Sequence, residues 1–309
     1  MNLGITSFLG AGAWSPDGLA VAAEERGFTS LFLPEHTHLP VRADTPPALV
    51  GGVAIEDYRQ SLDPLVALAT ASAVTTRLRL GTGVLLVAQH DPIVLAKQVA
   101  TLDQLSGGRL ILGIGFGWNR AEAEDHGVVF ADRRAVAREK VGCLRALWTE
   151  DPAEYHGEHV QLAPCWAAPK PRQARLPVLI GGGAGPRLLE AVADYADGWL
   201  PIGGSGLGEA VPRLAQLAAG RGRDPSTVAV VPFGTLPSAA KLEHFASLGI
   251  GAVVLRLPTG PVDEMRRRLD ELATFVPLAA ALPGPVGGDA GAGVPGAGPA
   301  TGAPGGVGD

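Results

Sequence analysis

The stretch "LFLPEHTHLP", Leu31 to Pro40, is an apolar run that ends in Glu35, His36 and His38. Two histidines one residue apart suit three chemistries: paired ligands on a metal ion, an imidazole exchanging protons beside a redox centre, or a solvated polar loop. A catalytic metal in a barrel of strands needs further ligands at other strand ends, typically His after the fifth and sixth strands and Asp after the eighth. Those positions read "IGGG", "GWLPIGG" and "LRLPTG" and offer no such ligand, so the metal reading is set aside.

Three glycine-rich segments carry the other signals. In "LGTGVLLVAQHDP", Leu80 to Pro92, Gly81 and Gly83 interrupt a strand, which is the mark of a bulge or of a flat ligand lying against the backbone. In "LGIGFGWNRAE", Leu112 to Glu122, Gly113, Gly115 and Gly117 miss the dinucleotide fingerprint, which has two residues before its last glycine. They leave room for a bulky planar ligand, with Trp118 as a wall of that space or as a core residue. "IGGGAGPRLLEAVADYADGW" runs from glycines straight into a helix, whose free N–H groups and positive dipole end suit a phosphate.

These segments must be positioned by regular elements. Strands are expected at Leu3–Thr6, Ser30–Leu33, Leu78–Gly83, Leu110–Gly115, Val178–Gly181, Gly198–Pro201, Val228–Phe233 and Ala252–Leu255. Helical patterns alternate with them, and Ser15-Pro16, Asp63-Pro64 and Asp91-Pro92 each place a capping side chain before a proline at the first helical position. After Asp91, Leu95, Val99, Leu102 and Leu105 form one apolar stripe that Gly107-Gly108 ends. This alternation predicts an α/β fold with a single (β/α)8 TIM barrel over residues 1–282, an open doubly wound sheet being the rival. Insertions are expected after strand 2 (residues 40–62, a candidate lid) and before strand 5 (residues 151–176). Residues 283–309, nearly all Gly, Pro, Ala and Val, read as a disordered C-terminal tail.

Composition narrows the function classes. A formal charge of -6 and only four lysines argue against a nucleic-acid surface. Two cysteines, Cys143 in a helical pattern and Cys165 in a Pro-rich loop, could pair but fit a reduced protein better. The stretch "MNLGITSFLGAGAW" lacks the basic residues of a signal peptide, and no uncharged apolar run of about 18 residues appears, so a soluble cytoplasmic protein without membrane partners is expected.

The segments "PEHTHLP" at 34–40, "LRLGTGVLLVAQHDPIVLAKQVATLDQLSGGRLILGIGFGW" at 78–118, "PKP" at 169–171, and "IGGG" with "ADGWLP" at 180–201 together resemble the luciferase-like monooxygenase superfamily of flavin- and deazaflavin-dependent barrels. The pattern is most similar to the branch that uses the deazaflavin coenzyme F420, with an FMN-dependent monooxygenase using molecular oxygen as the alternative. The resemblance implies a non-prolyl cis peptide at Gly83-Val84 beneath the cofactor ring, a ring pocket lined by Gly113, Ile114 and Gly115, and a phosphate held by Gly182, Gly183 and Ala184. It implies that His36 is the catalytic histidine beside the ring, with Glu35 where the branch usually has aspartate. Trp118 stands where the sugar-phosphate dehydrogenases carry a glutamate acid, which argues against sugar-phosphate oxidation. A small-molecule substrate and a homodimer follow from the family habit.

Overall fold

Three helices begin where a capping side chain precedes a proline. Ser15 Oγ accepts from the Gly18 N–H at 3.3 Å to open α1 (Pro16–Glu25), and Asp63 Oδ1 accepts from Val66 at 2.8 Å to open α2 (Pro64–Val74). Asp91 Oδ1 takes both Ile93 and Val94 N–H groups, at 3.0 and 2.9 Å, to open α3 (Pro92–Leu105). Each cap is worth about 1 kcal/mol. At the other end of α3 the chain leaves through Gly107 and Gly108 at φ 73° and 86°, a left-handed turn that a side chain would strain.

The computed structural model describes residues 1–10, 12–41, 49–50 and 53–283. Residues 284–309 of the expected tail, and 42–48 and 51–52 of the expected lid, lie outside the described residues. The larger helices that follow α3 are α4 (Arg133–Thr149), α5 (Pro186–Tyr195), α6 (Leu207–Ala219), α7 (Ala239–Ser247) and α8 (Val262–Ala273). Nine strands form one sheet: β1 (Asn2–Thr6), β2 (Ser30–Leu33), β3 (Arg79–Thr82), β4 (Leu110–Ile114), β5 (Val178–Gly181), β6 (Gly198–Leu200), β7 (Ala229–Val230), β8 (Phe233–Thr235) and β9 (Ala252–Arg256).

Neighbours in this sheet run β7-β6-β5-β4-β3-β2-β1-β9-β8, every pair parallel. Its two outermost members are separated only by Val231 and Pro232. The Val231 and Phe233 N–H groups donate to Trp199 O and Pro201 O at 2.9 and 2.8 Å, while Pro232 O accepts from the Val254 N–H at 2.8 Å. The sheet is therefore curled, both edges being drawn from one stretch. The strand expected at Val228–Phe233 is broken because Pro232 has no N–H to donate.

Alternation along the strands divides the core in two. Phe32, Ile111, Leu179, Leu200, Val231, Phe233 and Val254 meet inside the curl, whereas Leu31, Leu33, Leu110, Leu112, Val178, Ile180 and Val253 join the larger core beneath the helices. The interior rings Phe32 and Phe233 meet edge to face at 5.7 Å. A Cβ at Gly81 would collide with Phe32, and one at Gly83 with Phe233. The expectation of a ligand against Gly81 is corrected: its missing side chain makes room for an interior phenyl.

Two antiparallel hairpins stand outside the sheet, Leu49–Val50 with Val53–Ala54 and Ala153–His156 with Gln161–Cys165. From the "PKP" motif, Lys170 Nζ donates to Leu147 O and Glu150 O at 3.0 and 2.6 Å, closing the C-terminal end of α4. Cys143 and Cys165 are both free, and burial pushes the Cys143 thiol up to about 11. No helix among the described residues is long and apolar enough to cross a membrane.

Candidate active site

A cavity of about 920 Å³ opens where the strands end. Its wall takes Ser7 from the end of β1, His36 from beyond β2, Gly83 and Val84 from beyond β3, Gly115 to Trp118 from beyond β4, Gly181 to Gly183 from β5 and its turn, and Arg256 from β9.

His36 is the most constrained of these. Its Nδ1 lies 2.8 and 3.1 Å from the two carboxylate oxygens of Glu122, and the two side chains are 5% and 0% exposed. Tyr58 presents a ring edge-on at 4.9 Å and Trp118 lies tilted at 5.4 Å, with Phe8 completing the aromatic wall against Tyr58 at 4.8 Å. Burial pushes the Tyr58 phenol up, and the nearby Arg256 guanidinium works against that rise.

Glu122 and Tyr58 are among the residues that sequence reasoning missed, with Ser7, Arg133, Arg134 and Arg187. Glu122 sits three residues after Asn119, whose Oδ1 accepts the Glu122 N–H at 3.3 Å to cap the short helix Arg120–Asp125. In the sequence, Asn-x-x-Glu reads as a helix start and hides the second role. Tyr58 belongs to the short helix Ile55–Gln60, inside a loop with no motif.

His38 is not part of this arrangement. Its Nε2 meets Asp125 Oδ2 at 3.1 Å at the surface, and Thr37 Oγ1 bridges its Nδ1 to His126 Nε2, at 3.0 and 2.7 Å. Among the described residues no group of three His, Cys, Asp or Glu is arranged to hold a metal ion. Glu35 lines the cavity but its carboxylate is engaged: Oε2 accepts the Leu86 N–H at 2.6 Å and Oε1 meets His90 Nε2 at 2.8 Å. Lys140 Nζ holds the same turn through Ala88 O and His90 O, at 2.7 and 2.5 Å.

The peptide Gly83-Val84 is cis. A Cβ at Gly115 or Gly181 would meet a Val84 methyl, so those two glycines clear the place that Val84 takes in the wall. Gly113 and Ile114 stand behind the wall instead. The Gly113 carbonyl accepts Thr82 Oγ1 and the Leu85 N–H at 2.7 and 2.8 Å, and Ile114 is fully buried in the outer core.

The cavity wall is also basic. The turn from Gly181 leads through Gly185, the N-cap of α5, and Gly182 at φ 145° adopts backbone angles that only glycine takes readily. The space where a Cβ of Gly183 would lie is open. Ala184 is exposed and lies off the cavity wall, while Arg133, Arg134 and Arg187 line it. Arg134 lies over the Phe116 ring at 4.3 Å, and burial pulls its guanidinium below the usual range.

Two polar atoms in this wall, Arg134 Nη1 and Ser7 Oγ, are buried with no hydrogen-bond partner. Such a group costs about 1–3 kcal/mol, more when charged, which a molecule supplying an anion at one end and a polar ring edge at the other would recover. The residues present therefore fit a phosphate-bearing flavin-like group.

The sequence model of the family described as luciferase-like monooxygenase matches residues 17–248. An uncharacterised protein of Mycobacterium tuberculosis is 40% identical over 276 residues, covering 88% of this chain and 98% of that protein. An F420-dependent glucose-6-phosphate dehydrogenase of Amycolatopsis mediterranei is 33% identical over 192 residues, 61% of this chain and 53% of that enzyme. Among solved structures, an F420-dependent secondary alcohol dehydrogenase in complex with an F420-acetone adduct superimposes with a TM-score of 0.72 at 18% identity, over 90% of this chain and 98% of that one. The monooxygenase RslO1 from Streptomyces bottropensis does so with 0.70 at 21%, over 89% and 98%. At these identities the two structures speak for the fold alone.

Proposed function

This chain belongs to the luciferase-like monooxygenase family, and from that premise we propose that it is an F420-dependent oxidoreductase, moving hydride between C5 of the deazaflavin and a small organic substrate. The observation that carries the reading is one cavity joining the His36 imidazole to a three-arginine cradle with an unsatisfied guanidinium donor. We read the curled sheet as one closed (β/α)8 barrel, with Ala229–Thr235 as a single broken strand.

In this proposal Ser7, Gly83, Val84, Gly115 and Trp118 hold the ring. Gly182, Gly183, Arg133, Arg134 and Arg187 hold the phosphate and the anionic tail beyond it. The deazaflavin, when bound, supplies the hydride-accepting or hydride-donating carbon; the protein supplies pocket, orientation and polarity. His36 stands in the cavity wall as the group that takes or returns the proton that accompanies hydride. Phe8, Tyr58 and Trp118 keep bulk water from that side of the imidazole.

An FMN-dependent monooxygenase is the second reading, because the family itself is described as luciferase-like monooxygenase. Titrating the purified protein with oxidised F420 and with FMN separates the two. Saturable deazaflavin binding is expected, and tight FMN binding with no measurable affinity for F420 overturns the proposal.

A further inference from the structure

We infer that Glu122 sets the tautomer of His36, holding the proton on Nδ1 so that Nε2 meets the substrate as a bare proton acceptor; this rests on reading the cavity as a hydride-transfer site. An ionised carboxylate only accepts hydrogen bonds, and both of its oxygens face Nδ1, at 2.8 and 3.1 Å. The alternative tautomer would set the Nδ1 lone pair against two oxygens in a place where neither side chain has water to turn to, His36 being 5% and Glu122 0% exposed. No described residue forms a hydrogen bond with Nε2, and the ring stands in the cavity wall.

The placement of Glu122 is built. A glutamate three residues after an N-cap ordinarily reaches back to the N–H of the capping residue, closing a capping box. Here Asn119 caps the Glu122 N–H, while the Glu122 carboxylate turns to His36, a residue 86 positions away in the chain. The other nearby carboxylate does not compete for the ring, because Glu35 is committed to the Leu86 N–H and to His90.

Chemistry follows from the tautomer. A neutral substrate that loses hydride gives up both C–H electrons to the oxidised deazaflavin and must also release a proton from its heteroatom. That proton passes to Nε2, and the imidazolium so formed keeps its Nδ1–H on the carboxylate, whose charge stabilises it. In the opposite direction Nε2–H returns the proton. Glu122 is thus a positioning residue that acts through His36.

The test needs no cofactor in its first arm. Long-range proton–nitrogen NMR on histidine-labelled wild-type protein, with His36 assigned by its loss in His36→Asn, is expected to show Nδ1 protonated and Nε2 bare near neutral pH. A His36 ring protonated on Nε2, alone or together with Nδ1, overturns the inference whether or not the cofactor is F420. In the second arm Glu122→Gln, whose amide can donate to Nδ1, is expected to shift protonation toward Nε2. It is also expected to slow single-turnover hydride transfer by about tenfold or more, with F420 affinity within about threefold. An unchanged tautomer with an unchanged rate removes Glu122 from this role. Should Glu122→Gln fail to fold, the wild-type spectrum decides.

Discussion

The two ends of the curled sheet both bury charge, and they treat it differently. At the N-terminal ends of the strands, Asp197 accepts from Arg145 Nη2 at 3.0 Å, Arg175 Nε at 2.7 Å and the Val178 N–H at 2.9 Å. Asp103 accepts from the Gln173 N–H and Nε2 at 2.9 and 2.7 Å, and the Arg109 guanidinium donates to Ser72 O, Thr75 O, Thr75 Oγ1 and Leu78 O. At the C-terminal ends, Arg134 Nη1 and Ser7 Oγ are buried beside a cavity without partners. The N-terminal cluster leaves a neutral acceptor, Gln173 Oε1, without a partner, whereas the cavity wall leaves a charged guanidinium nitrogen open, and a bound anion would satisfy it.

The contrast is broken most forcefully at Asp197. Asp197→Ala strands Arg145 and the Val178 N–H, and is expected to cost about 3–5 kcal/mol of stability, read by urea unfolding. The fraction that stays folded is expected to bind the deazaflavin as the wild type does. Weakened cofactor affinity in that fraction would mean that the two ends are not separable.

At the opposite end His36→Ala removes the group that exchanges the proton. Single-turnover hydride transfer is expected to slow by about a hundredfold or more, while cofactor affinity changes little and the unfolding midpoint falls because the buried Glu122 carboxylate loses its partner. Undiminished transfer would take His36 out of the mechanism.

How far each region could be read from the sequence follows the same division. Caps such as Asp91 before Pro92, and the alternation of Leu31, Phe32 and Leu33, are local signals, and local physics decides them. Pro232 lies inside the strand expected at Val228–Phe233, and only the pairing of β7 and β8 with different neighbours shows that a strand is split there. The glycines were harder. Gly81, Gly83, Gly115 and Gly181 all point to close approach, but what approaches Gly81 is Phe32 and what approaches Gly115 is Val84, neither of which is near in sequence.

The site itself was half legible. The Gly182 turn reads as an anion site because glycines run straight into a helix, whereas the places of His36 and Val84 come from the resemblance to the family. Glu122 was masked by its capping position. Arg133 and Arg134 open α4 looking like the solvated end of an amphipathic helix, and nothing local says that Nη1 of Arg134 lacks a hydrogen-bond partner.

That open guanidinium nitrogen offers the most direct test of the central claim, because one substitution separates scaffold from binding. In Arg134→Met, F420 affinity is expected to fall by about tenfold or more, the range for losing a hydrogen bond to a charged group. The unfolding midpoint is expected to change little, since no protein hydrogen bond of Nη1 is lost and only the contact over the Phe116 ring is given up. Undiminished F420 affinity together with a clearly lower midpoint would contradict the account, placing Arg134 with the Asp197 cluster as part of the scaffold.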